Sequence, residues 1–279
     1  MHFTRRQFMG LAGVLGLGAC KRLHVPEVDL AALKPSLSMP SFTKDSTFSF
    51  AAINDLHVTD AKSTAIVKRA VRSINENANV AFTVVLGDLA SAGTVQEMTL
   101  AKTSLDDLEQ PYFAIPGNHD VDMSLENEYA NYNRAFPDRQ WKQDAERWLF
   151  LGLDTCNGTA SDVTVPEDRL EWLQKQLRGV NKQRPIALFT HHPLNPNTKA
   201  YRVQNADSVL ALFEGHSLKL VASGHFHGNQ EEEQNGVLFT TTACCSTTRD
   251  NHDDTPAKGY RLFHIDHETI THEFVEVRG

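Results

Sequence analysis

Five short groupings in this chain have the composition of chemistry rather than of packing. They are Asp55-Leu56-His57, Gly87-Asp88, Gly117-Asn118-His119-Asp120, His191-His192-Pro193 and Gly224-His225-Phe226-His227, and each follows an apolar run. A carboxylate, amide or imidazole set just beyond a buried strand is costly as packing but useful for holding metal ions and moving protons. Any one grouping alone reads as a polar turn; together they read as parts of one site. Asp55, His57, Asp88, Asn118, His191, His225 and His227 offer oxygen and nitrogen but no sulfur, a donor set suited to Zn²⁺, Mn²⁺ or Fe. Seven ligands are too many for one ion and fit two divalent ions sharing a carboxylate. Such pairs sit about 3.5–4 Å apart and clamp both the attacking and the leaving oxygen of an in-line displacement.

Bringing the groupings together requires strands that end at a common rim. The apolar runs predict strands over 48–54, 81–86, 112–115, 147–153, 185–190 and 218–222. Between them, apolar residues at helical spacing predict helices over 62–78, from the Thr94–Glu97 capping box through Leu108, from Pro166 to Gly179, and over 205–214. Residues 123–145 suggest a helix or a lid. The tail changes to strands alone, at 237–243, 259–265 and 269–277. Alternating strands and helices followed by a strand-rich tail predict an α/β fold, mixed with α+β character, in which a parallel sheet is joined by a second, largely antiparallel one. Ligands in parallel α/β sheets gather outside the carboxyl ends of the strands, where all five groupings fall.

Asp-x-His, Gly-Asp, Gly-Asn-His-Asp, His-His-Pro and Gly-His-x-His, in that order, resemble the motifs of the calcineurin-like metallophosphoesterases across about residues 47–265. The resemblance implies a four-layer αββα sandwich of two mixed sheets flanked by helices. Carried over by position, one metal takes Asp55, His57, Asp88 and His227. The other takes Asp88, Asn118, His191 and His225, with Asp88 bridging. His119 then meets the substrate phosphate or leaving group, and Asp120 orients it. Where many relatives carry another acid after Gly-Asp, this chain has Leu89-Ala90-Ser91-Ala92-Gly93. The activity implied is hydrolysis of phosphodiesters or phosphomonoesters of small organic phosphates or nucleotides by a metal-bridging hydroxide. The layout is most similar to the compact cyclic-nucleotide phosphodiesterase branch.

Residues 1–20 read as an address. Thr4-Arg5-Arg6-Gln7-Phe8-Met9 resembles the twin-arginine export consensus, and Leu17-Gly18-Ala19-Cys20 resembles the lipobox of bacterial lipoproteins. Residues 21–45 read as a tether and 46–279 as the metallophosphoesterase domain. The chain is therefore expected in the cell envelope or periplasm, held to a membrane by a lipid on Cys20. A net charge of −8 over 279 residues argues against general nucleic-acid binding and against an exonuclease groove. The competing reading is an exported lipoprotein that uses the fold for binding or scaffolding without turnover. His192 reads equally as a substrate contact or as packing. Asp154 reads as a helix-side hydrogen-bond acceptor, and the 249–252 loop as a possible substrate contact. His216, His252, His264 and His267 read as surface residues. Cys244-Cys245 leaves open a disulfide to Cys156 or buried free thiols.

Overall fold

The computed structural model describes residues 38–43, 47–136, 138–145 and 147–278. The export signal, Cys20 and most of the 21–45 tether lie outside the described residues. The first sheet contains β1 (Phe48–Ile53), β2 (Val80–Val85), β3 (Tyr112–Ala114), β10 (Gly259–Asp266) and β11 (Thr269–Glu276), in the order β11-β10-β1-β2-β3. The second contains β4 (Trp141–Ala145), β5 (Trp148–Leu153), β6 (Pro185–Thr190), β7 (Ser217–Ser223), β8 (Gln230–Gln234) and β9 (Val237–Thr241), in the order β4-β5-β6-β7-β9-β8. Neighbours β1, β2 and β3 run parallel, as do β5, β6, β7 and β9. The antiparallel pairings lie toward the edges. Both sheets are thus mixed, as the four-layer sandwich requires.

Strand alternation decides which layer each side chain enters. Phe50, Ala52, Phe82 and Val84 of the first sheet meet Phe150, Ala187, Phe189, Leu220 and Ala222 of the second in one inter-sheet core. Phe50 sits at its centre, stacked on Phe82 and Phe263 at 5.0 and 4.9 Å and edge-on to Phe150 and Phe189. The opposite face of the first sheet packs on α1 (Thr64–Asn75) and α2 (Val95–Leu105) through Ile53, Val67, Val71, Met98 and Leu105. The opposite face of the second packs on α4 (Glu167–Leu177) and α5 (Ala206–Ala211) through Leu149, Leu151, Leu173 and Val209. Thr94 and Glu97 form the expected capping box on α2.

The pattern-based expectation of a separate antiparallel sheet from the tail is corrected. β10 and β11 extend the first sheet beside β1, and β8 and β9 extend the second beside β7. Local alternation marks a strand but not its partner, and here the tail divides between both sheets. Gln230–Gln234, with three glutamates in a row, is an edge strand where charge blocks further pairing. Residues 123–145 hold the short α3 (Ala130–Ala135) and β4.

Phe50 packs against residues of both sheets and is fully buried. Phe50→Ala is expected to destabilise the fold by about 3–5 kcal/mol, read as a lowered urea midpoint at unchanged slope.

Candidate metal centre

All five groupings converge at the rim formed by the carboxyl ends of β1, β2, β3, β6 and β7. The local backbone there is unusual. Asp55, His57, Asp88, His225 and His227 all have left-handed dihedrals, with φ of 52°, 43°, 53°, 63° and 50°. Each such non-glycine residue costs roughly 1–2 kcal/mol, a strain that tends to collect at functional sites. The turns are tight enough to aim successive side chains inward. Gly87 and Gly117 permit this: a Cβ on Gly87 would lie 2.6 Å from the Gly117 nitrogen, and one on Gly117 would lie 2.1 Å from Asp88 Oδ1.

Donor atoms of Asp55, His57, Asp88 and His227 fall within 4.8 Å of one another, all buried. That grouping is the first metal position expected from the motifs. His227 Nε2 lies 3.2 Å from Asp55 Oδ1 and 3.2 Å from His57 Nε2. Asp88 then faces two ways. Its Oδ2 is 3.4 Å from His57 Nε2, and its Oδ1 is 3.4 Å from His191 Nε2. His191 Nε2 is also 3.1 Å from Asn118 Oδ1, and His191 clusters with His225. The structure thus brings together all seven expected ligand residues, with Asp88 between the two groups.

His192 joins the second cluster but is committed elsewhere. Its Nε2 lies 3.2 Å from the Ala160 carbonyl and its Nδ1 2.9 Å from the Thr155 hydroxyl, which leaves no free lone pair. Burial holds its imidazole neutral, well below the usual histidine range. Packing support, rather than substrate contact, is its role here.

The other imidazoles are oriented by backbone carbonyls, a common device around metal-binding histidines. His191 Nδ1 donates to Leu86 at 2.8 Å, His227 Nδ1 to Asp250 at 3.1 Å and His225 Nε2 to Ser161 at 2.9 Å. These bonds leave His191 Nε2, His227 Nε2 and His225 Nδ1 with lone pairs for a metal. Asn118 Nδ2 donates to Thr159 at 3.3 Å. Successive carbonyls of 159–161 therefore accept from Asn118, His192 and His225. Asn54 Nδ2 donates to Asp55 Oδ2 at 2.5 Å and to the Thr242 carbonyl at 2.9 Å.

His119 is half-buried, its ring centroid 4.9 Å from that of His57. Its Nδ1 lies 2.9 Å from the Ser91 carbonyl and its backbone N–H donates to Asp88 Oδ1 at 2.8 Å. Asp120, expected to orient His119, instead accepts the amides of Ala90 and Gly117 at 2.9 and 2.8 Å, so it ties two loops together. Ser91 provides the orienting contact. Sequence reasoning passed over Asn54, Ser91 and the 159–161 carbonyls. A backbone acceptor has no residue-type signature, and Asn54 alone, adjacent to Asp55, carried a signal.

The donor set also shows why the cluster suits cations. Burial, the largest influence on each acid, raises their pKa, yet His227 holds Asp55 at about 2 and His191 with His57 holds Asp88 well below the usual range. Burial lowers His191 and His227, yet Asp88 raises the first to about 9 and Asp55 raises the second to about 11. Burial brings His57 and His225 down to about 4. Imidazolium protons thus neutralise two carboxylates that metal ions would otherwise neutralise, and the residues fit two divalent ions.

Outside the centre, Asp154 accepts from Arg169 of α4 at 3.2 Å, the helix-side contact expected of it, and also pairs with Arg139. Cys156, Cys244 and Cys245 are buried free thiols. His252 is exposed, yet its ring lies 5.3 Å from that of His227 at the rim.

Residues 48–229 match the family described as calcineurin-like phosphoesterase. A probable cyclic nucleotide phosphodiesterase of Xenorhabdus bovienii is 26% identical over 161 residues, covering 56% of this chain and 65% of that protein. A probable glycerophosphodiester phosphodiesterase of Arcobacter nitrofigilis is 33% identical over 109 residues, covering 38% of this chain and 40% of that one. The chain thus spans less than two thirds of the length of either relative. Among solved structures, purple acid phosphatase from yellow lupin aligns with a TM-score of 0.64 at 15% identity, covering 88% of this chain and 53% of that one, a likeness of fold.

Coordination requires His191 and His227 to give up the protons they hold at neutral pH. Loading the metal-free protein at pH 7 is therefore expected to release on the order of two protons per chain. The affinity should rise with pH, most steeply up to about 9 where His191 becomes neutral, and further up to about 11 where His227 does. Calorimetry in buffers of different ionisation enthalpy measures this release; none at pH 7 would show the imidazoles already neutral.

Proposed function

The chain belongs to the calcineurin-like phosphoesterase family, and on that footing we propose that it hydrolyses small phosphate esters, phosphodiesters above all, at a site loaded with two divalent ions. The observation that carries this reading is Asp88, whose two oxygens face two separate ligand groups. Mn²⁺, Fe or Zn²⁺ held there would supply an activated water at neutral pH and positive charge against the phosphoryl oxygens. Asp55, His57, Asp88 and His227 would hold one ion; Asp88, Asn118, His191 and His225 the other.

The chain's own residues do the rest. The Ser91 carbonyl accepts from His119 Nδ1–H and leaves Nε2 for the ester; carrying a second proton there, as imidazolium, His119 would stabilise charge on the phosphoryl group or pass that proton to the leaving oxygen. Asp120 keeps the loop bearing Asn118 and His119 against the loop bearing Asp88. Beside His119 lies a recess of about 490 Å³, lined in part by Asn118, Val121, Met123 and Thr159. Its lining includes no Lys or Arg, which favours the single charge of a diester over the double charge of a monoester.

The test is turnover of a nitrophenyl diester and a nitrophenyl monoester by residues 21–279 loaded separately with each metal. Asp88→Asn should lower kcat by orders of magnitude. His119→Ala should lower it by roughly 10²–10⁴-fold while metal content stays unchanged. Two bound ions with no turnover of either ester would overturn the reading in favour of a binding or scaffolding role.

Residues 1–20 support export of this site by the twin-arginine route, with lipidation of Cys20 placing the domain at the outer side of a membrane. Cys20→Ser should move the protein from the membrane fraction to the soluble fraction. Unchanged partitioning would remove the lipid anchor from the account.

A further inference from the structure

Among the described residues, the exposed large apolar side chains are Met123, Leu125 and Tyr201, at 66%, 39% and 38% exposure. Met123 lines the recess beside His119. Tyr201 lies on the other flank of the centre. Its ring is 5.7 Å from that of His225 and nearly perpendicular to it. It also stacks on His252, with centroids 5.1 Å apart and planes 22° from parallel. The His252 ring in turn lies 5.3 Å from His227 and 6.0 Å from Phe226. The Tyr201–His252 pair therefore spans the turn that supplies one histidine to each metal position.

The pair is held in place. Tyr201 has a left-handed backbone, φ 57°, which is rare for an aromatic residue. Its neighbour Arg202 fixes it there: the Arg202 N–H donates to Asp162 Oδ1 at 3.1 Å, and the Arg202 carbonyl accepts from Val163 N–H at 3.0 Å. Those partners continue the segment whose carbonyls orient Asn118, His192 and His225. The backbone N–H of His252 donates to the His227 carbonyl at 3.0 Å. Both rings are thus built onto the same loops as the ligands, which preorganises them for whatever enters the site.

We propose that Tyr201 and His252 form a stacking platform that selects phosphodiesters carrying a planar ring, a nucleobase, on one organic arm. A flat, partly exposed aromatic pair beside a phosphate-binding centre offers π-stacking to any base. An alkyl arm such as glycerol gains nothing comparable from it. This deepens the phosphoesterase reading and rests on it, and it points to nucleoside phosphodiesters over alkyl ones.

The test compares a thymidylyl nitrophenyl diester with a methyl nitrophenyl diester, which share a leaving group and differ in the other arm. The metal-loaded wild-type protein should prefer the nucleoside ester. In Tyr201→Leu and in His252→Leu, the ratio of kcat/KM for the nucleoside ester to that for the methyl ester should fall about tenfold, carried by KM. Tyr201→Phe, which keeps the ring, should retain the preference. A ratio unchanged within about twofold in both leucine variants, or an equal fall for both esters, would overturn the platform. Calorimetric binding of thymidine monophosphate and of methyl phosphate separates the two readings. If the wild type cleaves neither ester, the phosphoesterase reading fails; tighter binding of the nucleotide, lost in Tyr201→Leu, would still uphold the platform, and equal binding of the two would overturn it.

Discussion

Asp88 is almost fully removed from solvent, turns one oxygen toward His57 and the other toward His191, and accepts the His119 amide as well. A buried carboxylate in that position must be surrounded by positive charge on both sides, because desolvation alone strongly disfavours its ionised form. The rest of the rim follows from this constraint. The backbone beside Asp88 must approach Gly117 more closely than any side chain allows. Each half of the site draws on both sheets, since His57 follows β1 and His227 follows β7 in one, while Asn118 follows β3 and His191 follows β6 in the other. The inter-sheet aromatic core around Phe50 therefore governs more than stability: within each ligand group it sets the spacing between the residues that the two sheets supply.

Much of the centre was legible in the sequence. Residues such as Asp88 and His225 announce themselves by following apolar strands, because such side chains have no packing reason to be there. Apart from β4 and α3, the strand-and-helix alternation up to β7 was equally plain, since those strands are mostly apolar and buried. The tail was harder. β10 alternates like any strand, yet its partner β1 lies some two hundred residues earlier, and nothing local encodes that pairing. The motif resemblance implied two mixed sheets where pattern alone suggested a separate antiparallel one. Residues 123–145 were expected to hold a helix or a lid, and α3 lies there, whereas β4 was missed because most of its residues are polar.

Side-chain roles were legible where the residue type is rare, and illegible where the work is done by the main chain. Asp120 illustrates the boundary. Its neighbour His119 made an orienting role natural, but its carboxylate serves two loop amides while a serine carbonyl faces the imidazole. His192, one position from a ligand and inside the same cluster, is chemically occupied by Thr155 and Ala160. In both cases adjacency in sequence gave proximity to the centre, and the hydrogen-bond partners made the role a supporting one.

The carbonyls of residues 159–161 set the ring orientation of His192 and His225 and hold the Asn118 amide. A carbonyl oxygen is common to every amino acid, so this support survives changes of side chain along the segment. Drift at 159–161 can reshape the approach to the centre while the proton positions on its histidines stay as they are. The loop thus supports the ligand residues through the shape of its backbone rather than through its residue types.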